Sequence, residues 1–175
     1  MTLAHRLCGS FVLDAATCED VEADPSAWWQ ALAIVLAFGA TAAIGFAGPA
    51  PQVRVLVIAA LASLAGWLSW AAIVAYLGTR VFPEPQTRSD VGELTRTLGF
   101  SLTPGLFLVL LAVPFAPPGT SVVIVVWMLA AMIVGVRQAL DYRSTRRAVA
   151  VCGLGWVLAI VFAGVIGFFF GPRVS

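Results

Sequence analysis

Apolar residues along this chain fall into five long continuous runs that short polar segments separate. A helix that crosses ~30 Å of hydrocarbon needs ~20 mostly apolar residues. The runs do not alternate apolar and polar positions, as the strands of a membrane barrel do. We therefore predict an all-α bundle of five transmembrane helices, with spans at 28–48, 53–78, 98–115, 121–138 and 148–170.

The segments outside the runs divide the chain into an N-terminal segment (1–27), one membrane domain (28–170) and a short tail (171–175). Leu3, Leu7 and Phe11 recur every four residues, which predicts a short amphipathic helix lying on the membrane surface. A loosely ordered N-terminus is the alternative. Asp14 can cap a second short helix that continues through Val21.

Several residues mark where the predicted helices begin or bend. Asp24 is a good N-cap for the first span, and Pro25 fits its first helical position. Asp90 and Glu93 have the spacing of a capping box, so the third helix is expected to begin near residue 91. Pro104 lies inside that helix and is expected to kink it, because proline removes one backbone hydrogen bond.

Composition strengthens the membrane assignment and excludes several classes of protein. Of the 175 residues, 61% are hydrophobic and 11% are charged, against about 25% charged in a soluble domain. The mean hydropathy is +0.97. The net charge of +1 lacks the basic excess of a nucleic-acid-binding protein. A soluble enzyme and a nucleic-acid partner are therefore not expected.

The positions of the arginines predict an orientation. All ten basic residues are arginines. In a five-span topology, eight of them share the side of the N-terminus, and only Arg54 and Arg173 lie on the other side. Cytoplasmic loops carry the positive excess. We therefore expect a cytoplasmic N-terminus and a C-terminus outside.

Candidate chemistry is sparse. None of the five runs carries Asp, Glu, His or Lys deep inside it, which argues against ion-coupled transport and acid/base catalysis. His5, with Cys8 and Cys18, does not have the spacing of a recognised metal site. No nucleotide-binding or hydrolase motif is present. We predict a protein that is not an enzyme, with no catalytic residue, no cofactor and no metal.

Four arginines form the most distinct polar feature, between the fourth and fifth spans. They are Arg137, Arg143, Arg146 and Arg147. One interpretation is that they contact anionic lipid headgroups or a protein partner, since each Arg near such a surface contributes about 1 kcal/mol. The alternative is that they only determine topology. Arg137 and Asp141 are four residues apart and are expected to pair if the helix continues.

Small and hydroxyl residues recur at helical spacing within the spans, as Thr97, Ser101 and Gly105 do. Such residues let helices approach closely, so we interpret them as packing positions. The alternative is a polar-lined groove that includes the hydroxyls of Ser63 and Thr103. Trp127, in the middle of the fourth span, is expected to fill the bundle core.

The order of these features resembles the Yip (Ypt-interacting protein) family, in its prokaryotic branch. Four segments carry the resemblance: the entry segment 13–28, the stretch 98–104 with Gly99, Phe100, Ser101 and Pro104, then Trp127, and the link 136–148 between the last two spans. The second segment is similar to the glycine-aromatic-then-proline motif of the family's third span. We expect Gly99, Ser101, Pro104 and Trp127 to be kink and packing positions.

Eukaryotic members of that family have a cytoplasmic N-terminus and associate with Rab-type GTPases. This chain lacks the family's acidic-Leu-x-Gly-Pro motif before the first span and has a short N-terminal segment, so Rab-type binding is not expected. For prokaryotic members, the resemblance implies a multi-pass protein of the plasma (inner) membrane without an established activity. The favoured hypothesis is a non-enzymatic organiser or adaptor that contacts lipids, other membrane proteins or itself. The alternative is a small permease or lipid-translocating bundle.

Overall fold

The computed structural model describes residues 1–85, 87 and 90–170, and this part of the chain is helical with no strand. Its α-helices are α1 (Leu3–Phe11), α2 (Ala15–Ala23), α3 (Ala27–Ala47), α4 (Val53–Tyr76), α5 (Val91–Phe100), α6 (Thr120–Ala139) and α7 (Thr145–Phe170). A π-helical turn, Leu77–Val81, extends α4, and a 3-10 helix, Thr103–Ala112, follows α5.

Four helical stretches in the described residues are long and apolar enough to cross a membrane. They are Ala27–Ala47, Val53–Val81, Val91–Ala112 and Thr120–Ala139. Each coincides with one of the first four predicted runs to within a few residues, except that the third helix begins at residue 91. Helix α7 covers the fifth run, and its crossing of the membrane stays a prediction. Arg88, Arg173 and the tail 171–175 lie outside the described residues.

The capping box predicted at the third span is confirmed. The Asp90 side chain accepts from the backbone of Glu93, and the Glu93 carboxylate accepts from the Asp90 N–H at 3.0 Å. At the first span the structure differs from the prediction. Helix α3 begins only at Ala27, and Asp24 caps the preceding turn by accepting from the Ser26 N–H at 2.9 Å.

The third span is not one kinked α-helix, as the sequence predicted, but two helices of different type. Helix α5 ends at Phe100, and the backbone bonds then tighten, with Gly105 N–H donating to Leu102 O at 2.8 Å. Pro104 has no N–H to donate and its ring crowds the preceding turn. The chain therefore continues past it with 3-10 hydrogen bonds instead of returning to α-helix.

The core lies between α3, α4, the two-part third span and α6. Trp67 of α4 is buried there, and its indole N–H donates to Thr95 O at 2.9 Å. Gly99 lies against Ala31 and the Trp67 ring, which leaves no room for a larger residue. Close helix approach at small residues is how bundles pack where lipid is as apolar as the side chains.

Gly45 marks the closest approach of α3 to the 3-10 helix. A Cβ at this position would overlap the backbone carbonyl of Leu108, which cannot turn aside as a flexible side chain does. Gly66 of α4 is a matched contrast, since a Cβ there would meet nothing within 4 Å.

We expect Gly45→Ala to lower the free energy of unfolding by about 1–3 kcal/mol, the usual cost of overpacking. Gly66→Ala is expected to leave it unchanged or raise it by up to about 1 kcal/mol, because alanine is the better helix former. Unfolding in mixed detergent micelles, followed by circular dichroism, measures both. Equal losses in the two variants would show that helix α3 is not held this close to the 3-10 helix.

Candidate functional site

The structure separates the four predicted arginines into two pairs. Arg137, near the end of α6, bonds through Nε to Tyr142 O at 3.4 Å. Helix α6 ends at Ala139, and Asp141 adopts a left-handed conformation with φ +53°. The predicted pairing of Arg137 with Asp141 required the helix to continue through both residues, and the helix ends before Asp141.

Arg147 is also engaged by the protein. Its Nε lies 3.3 Å from a Glu84 carboxylate oxygen, and its guanidinium donates to Pro83 O at 2.8 Å. The loop after α4 is held from a second direction by Tyr142, whose hydroxyl lies 2.8 Å from Phe82 O. These bonds tie the α4–α5 connection to the α6–α7 connection.

Arg143 and Arg146 form the other pair, and both are exposed. The backbone N–H of Arg143 donates to Glu84 at 3.1 Å, which positions the residue without using its guanidinium. Arg80, in the π-helical turn, is exposed at the same end of the bundle. We call this end, with Arg80, Arg137, Arg143, Arg146 and Arg147, the arginine-rich end.

Three of the four predicted packing positions lie at helix contacts. Gly99 faces α3, and Ser101 faces α6, where its hydroxyl lies 3.3 Å from Ala131 O. Pro104 is buried in the first turn of the 3-10 helix. Ser101 also donates to Thr97 O at 3.0 Å, so its hydroxyl is satisfied by backbone.

Trp127 lies at the edge of the bundle and not in its core. Its side chain is 38% exposed, and its ring stacks on Phe11 of α1 with centroids 4.5 Å apart. The indole N–H donates to Phe11 O at 2.9 Å. Phe107 of the 3-10 helix completes the group, 5.2 Å from the Phe11 ring. Sequence spacing alone does not reveal this contact, because residues 11 and 127 are distant in the chain.

Beyond the Phe11–Trp127 stack lies an apolar groove of about 720 Å³. One wall is the 3-10 helix with Pro104, Phe107 and Leu110, and the other is α6 with Val122, Val123 and Trp127. None of the described residues that line it is charged. Such a groove fits apolar chains better than a polar substrate.

Helices α1 and α2 fold back on each other as a hairpin (residues 3–23) that Arg6 holds together. Arg6 is 1% exposed, and its guanidinium bonds to Asp20 at 2.7 Å, Asp24 at 2.7 Å and Gln30 at 3.0 Å. The bonds from Ser26 and Arg6 lower the pKa of Asp24 to about 2. In the sequence, Arg6 contributed only to the arginine bias that predicts the topology. The acidic residues in the segment 19–24 were the one sequence feature that indicated partners for it.

The hairpin packs against α5 and α6. It is therefore part of the bundle and not a separate helix on its surface. Arg96 of α5 donates to Val21 O at 3.3 Å and to Glu22 O. Glu19 accepts from the Gln138 amide of α6 at 3.2 Å. Leu7 and Phe11, two of the residues that predicted an amphipathic helix, pack against the rest of the bundle.

A family model for the Yip1 domain matches residues 12–166. The match covers most of the chain. This chain belongs to the Yip family. No curated protein and no solved structure matches it. The Yip1 match begins next to the turn of the hairpin, so it includes α2, while α1 precedes it. Assignment to the prokaryotic branch stays a prediction.

Between the hairpin and the arginine-rich end, this Yip-family chain has an open cavity of about 430 Å³ with an acidic lining. Glu22 lies in it beside Glu93 of α5 and Asp141, with Glu19 and Arg96 also near. Burial, together with the charges of Glu93, Asp141 and Glu19, raises the pKa of Glu22 to about 7 against the opposing charge of Arg96. No group of three potential metal ligands is found among the described residues.

Docking of the hairpin can be followed with its own cysteines. Burial raises the pKa of Cys18 to about 11, with Asp14, Glu22 and Glu19 adding to the rise, whereas Cys8 is exposed. Since the thiolate is the nucleophile, we expect a maleimide applied at pH 7.5 to the protein in detergent to modify Cys8 faster than Cys18. Arg6→Gln removes the charged hydrogen bonds to Asp20 and Asp24. We expect this change to accelerate the modification of Cys18 about tenfold. Peptide mass spectrometry measures both rates.

The control is Arg143→Gln, the same change at an exposed arginine, which is expected to alter neither rate. Fast modification of Cys18 in the unchanged protein would contradict the docked hairpin.

We expect docking of the hairpin to depend on pH through Glu22. Because the pKa of Glu22 is raised in the docked state, its contribution is fully present below about pH 4.5 and is lost as the pH rises through about 7. We expect Glu22→Gln to increase hydrogen-exchange protection of the α2 amides at pH 8 and to change it little at pH 5. An equal change in protection at pH 5 and pH 8 would show that ionisation of Glu22 does not cause the pH dependence of docking.

Proposed function

We propose that this Yip-family membrane protein is a non-enzymatic organiser that acts by holding anionic lipid headgroups at its arginine-rich end. The observation that carries the proposal is the division of the arginines. Arg6, Arg96, Arg137 and Arg147 bond within the protein, while the side chains of Arg143 and Arg146 are exposed beside Arg80.

The protein positions these exposed guanidinium groups without neutralising them. Glu84 accepts from the backbone N–H of Arg143 and forms a salt bridge with the side chain of Arg147. Guanidinium groups match phosphate oxygens in a fork geometry. Two such groups at an anionic surface contribute about 2 kcal/mol together.

The proposed topology supports this role. We propose that α7 is a fifth span, which places the N-terminus and the arginine-rich end on the cytoplasmic side of the plasma membrane and the C-terminus outside. Support comes from the bias of arginines toward that end and from the 26-residue length of α7. The cytoplasmic leaflet is the one rich in anionic lipid.

The alternative of a permease loses the feature that favoured it. The hydroxyls of Ser63, Ser101 and Thr103 donate to backbone carbonyls one turn earlier in their own spans, at 2.9, 3.0 and 2.7 Å. Since each hydroxyl proton is used in such a bond, these three groups have no proton left to donate to a solute.

The test compares lipid binding by Arg143→Gln/Arg146→Gln with binding by the unchanged protein. In nanodiscs of zwitterionic lipid with a spin-labelled anionic lipid added, we expect the double variant to bind the anionic lipid roughly thirtyfold more weakly, which corresponds to about 2 kcal/mol. The loss is expected to shrink at high salt. Electron paramagnetic resonance of the immobilised fraction measures it.

Arg54→Gln is the control, because Arg54 is exposed in the first turn of α4, at the opposite end of that helix from Arg80. Equal binding by the unchanged protein and the double variant would overturn the proposal. An equal loss in Arg54→Gln would assign the effect to net charge and not to this site.

A further inference from the structure

The hairpin of α1 and α2 has a tip and a base that lie at different depths along α6. Its two helices run antiparallel and meet where a Cβ on Gly9 would overlap the Thr17 side chain. The chain reverses at Leu13, which has φ +63°. We define the tip as residues 11–13 and the base as the N-terminus with residues 19–24.

The tip reaches deep along α6. Phe11 O accepts from Trp127, and Leu13 lines a shallow apolar depression with Val126 and Ala130. Trp127 precedes Arg137 by ten residues of continuous helix, which corresponds to ~15 Å. The tip therefore lies about half of a ~30 Å hydrocarbon core away from the charged end of α6.

The base, by contrast, lies level with the arginine-rich end. Glu19 accepts from Gln138, the neighbour of Arg137, and Arg6 binds Asp20 and Asp24. Helix α2 has nine residues, a length of ~13 Å. The length of α2 thus matches the thickness of the hydrocarbon layer in a single leaflet, about 15 Å.

The surface of the hairpin changes from apolar to charged in the same direction. At the tip, Val12 is 67% exposed and is followed by exposed Ala15 and Ala16. Glu19, Asp20, Glu22 and Asp24 all belong to the base. Asp14 is the exception near the tip, and its carboxylate accepts from Ala16 N–H, Thr17 N–H and the Thr17 hydroxyl. These bonds compensate the charge and lower the pKa of Asp14.

The protein surface beside the tip is apolar. On one side lies the groove lined by Phe107, Leu110 and Val123, and in the part of the chain that the structure describes its lining is uncharged. The face of α6 beside it exposes Val122 and Val126, at 63% and 58%. A tip at the headgroups would place these side chains in a polar layer.

We propose that α1 and α2 form a re-entrant hairpin that enters only the leaflet at the arginine-rich end, with residues 11–13 as its contact surface for acyl chains. The bundle therefore has a larger cross-section in that leaflet than in the other. The proposal is independent of headgroup binding by Arg143 and Arg146.

Depth is measured with nitroxide labels at Val12→Cys and Glu19→Cys, in a chain whose native cysteines are replaced by alanine, reconstituted in bilayers. We expect the label at position 12 to collide more with oxygen than with nickel-EDDA, and the label at position 19 to show the reverse. Equal nickel-EDDA accessibility at the two positions would overturn the proposal.

A second measurement needs no substitution. The unchanged protein is reconstituted with phospholipids that carry a photoreactive diazirine either near the end of the acyl chain or on the headgroup. Adducts at residues 11–13 from the acyl-chain probe are the expected result. Labelling of the tip by the headgroup probe alone would place the hairpin on the membrane surface and refute the re-entrant arrangement.

Discussion

Inside a bilayer, a backbone N–H or C=O has no water to bond, and this constraint accounts for most of the architecture. Every described candidate span is helical, and the hydroxyls of Ser63 and Thr103 donate to backbone carbonyls three residues earlier in the same spans. Even where Pro104 removes a donor, the chain stays hydrogen-bonded by changing to a tighter helix. The few charged residues are left to the ends of the spans, where they are available for holding loops together.

The arginines of the hairpin and of the arginine-rich end have two distinct uses. Arg6 and Arg147 bind acidic side chains and backbone carbonyls, so they fasten the hairpin and the loops to the bundle. Arg143 and Arg146 point their charge outward. The acidic cavity around Glu22 lies between these groups, and the burial of its carboxylates is the reason that docking of the hairpin is expected to respond to pH.

The parts of the fold that the sequence predicted are those with local causes. The capping box of Asp90 and Glu93 depends on residues three apart, and long apolar runs predict spans by length alone. The contacts of the candidate site join distant segments, as Phe11 with Trp127 and Arg6 with Gln30 do, so no spacing reveals them. Trp127 was expected in the core because it is large and apolar, yet a position at the lipid boundary satisfies the same preference. Pro104 was expected to bend a helix. Whether it bends or changes the helix depends on the neighbours that pack around it.

The change to 3-10 helix also shapes the groove. A 3-10 helix has three residues per turn, so every third side chain stands directly above the last. Pro104, Phe107 and Leu110 follow this interval and form one straight column along the groove wall. In an α-helix, with 3.6 residues per turn, the same three side chains would wind away around the axis. The helix type thus aligns these three apolar side chains along one wall of the groove.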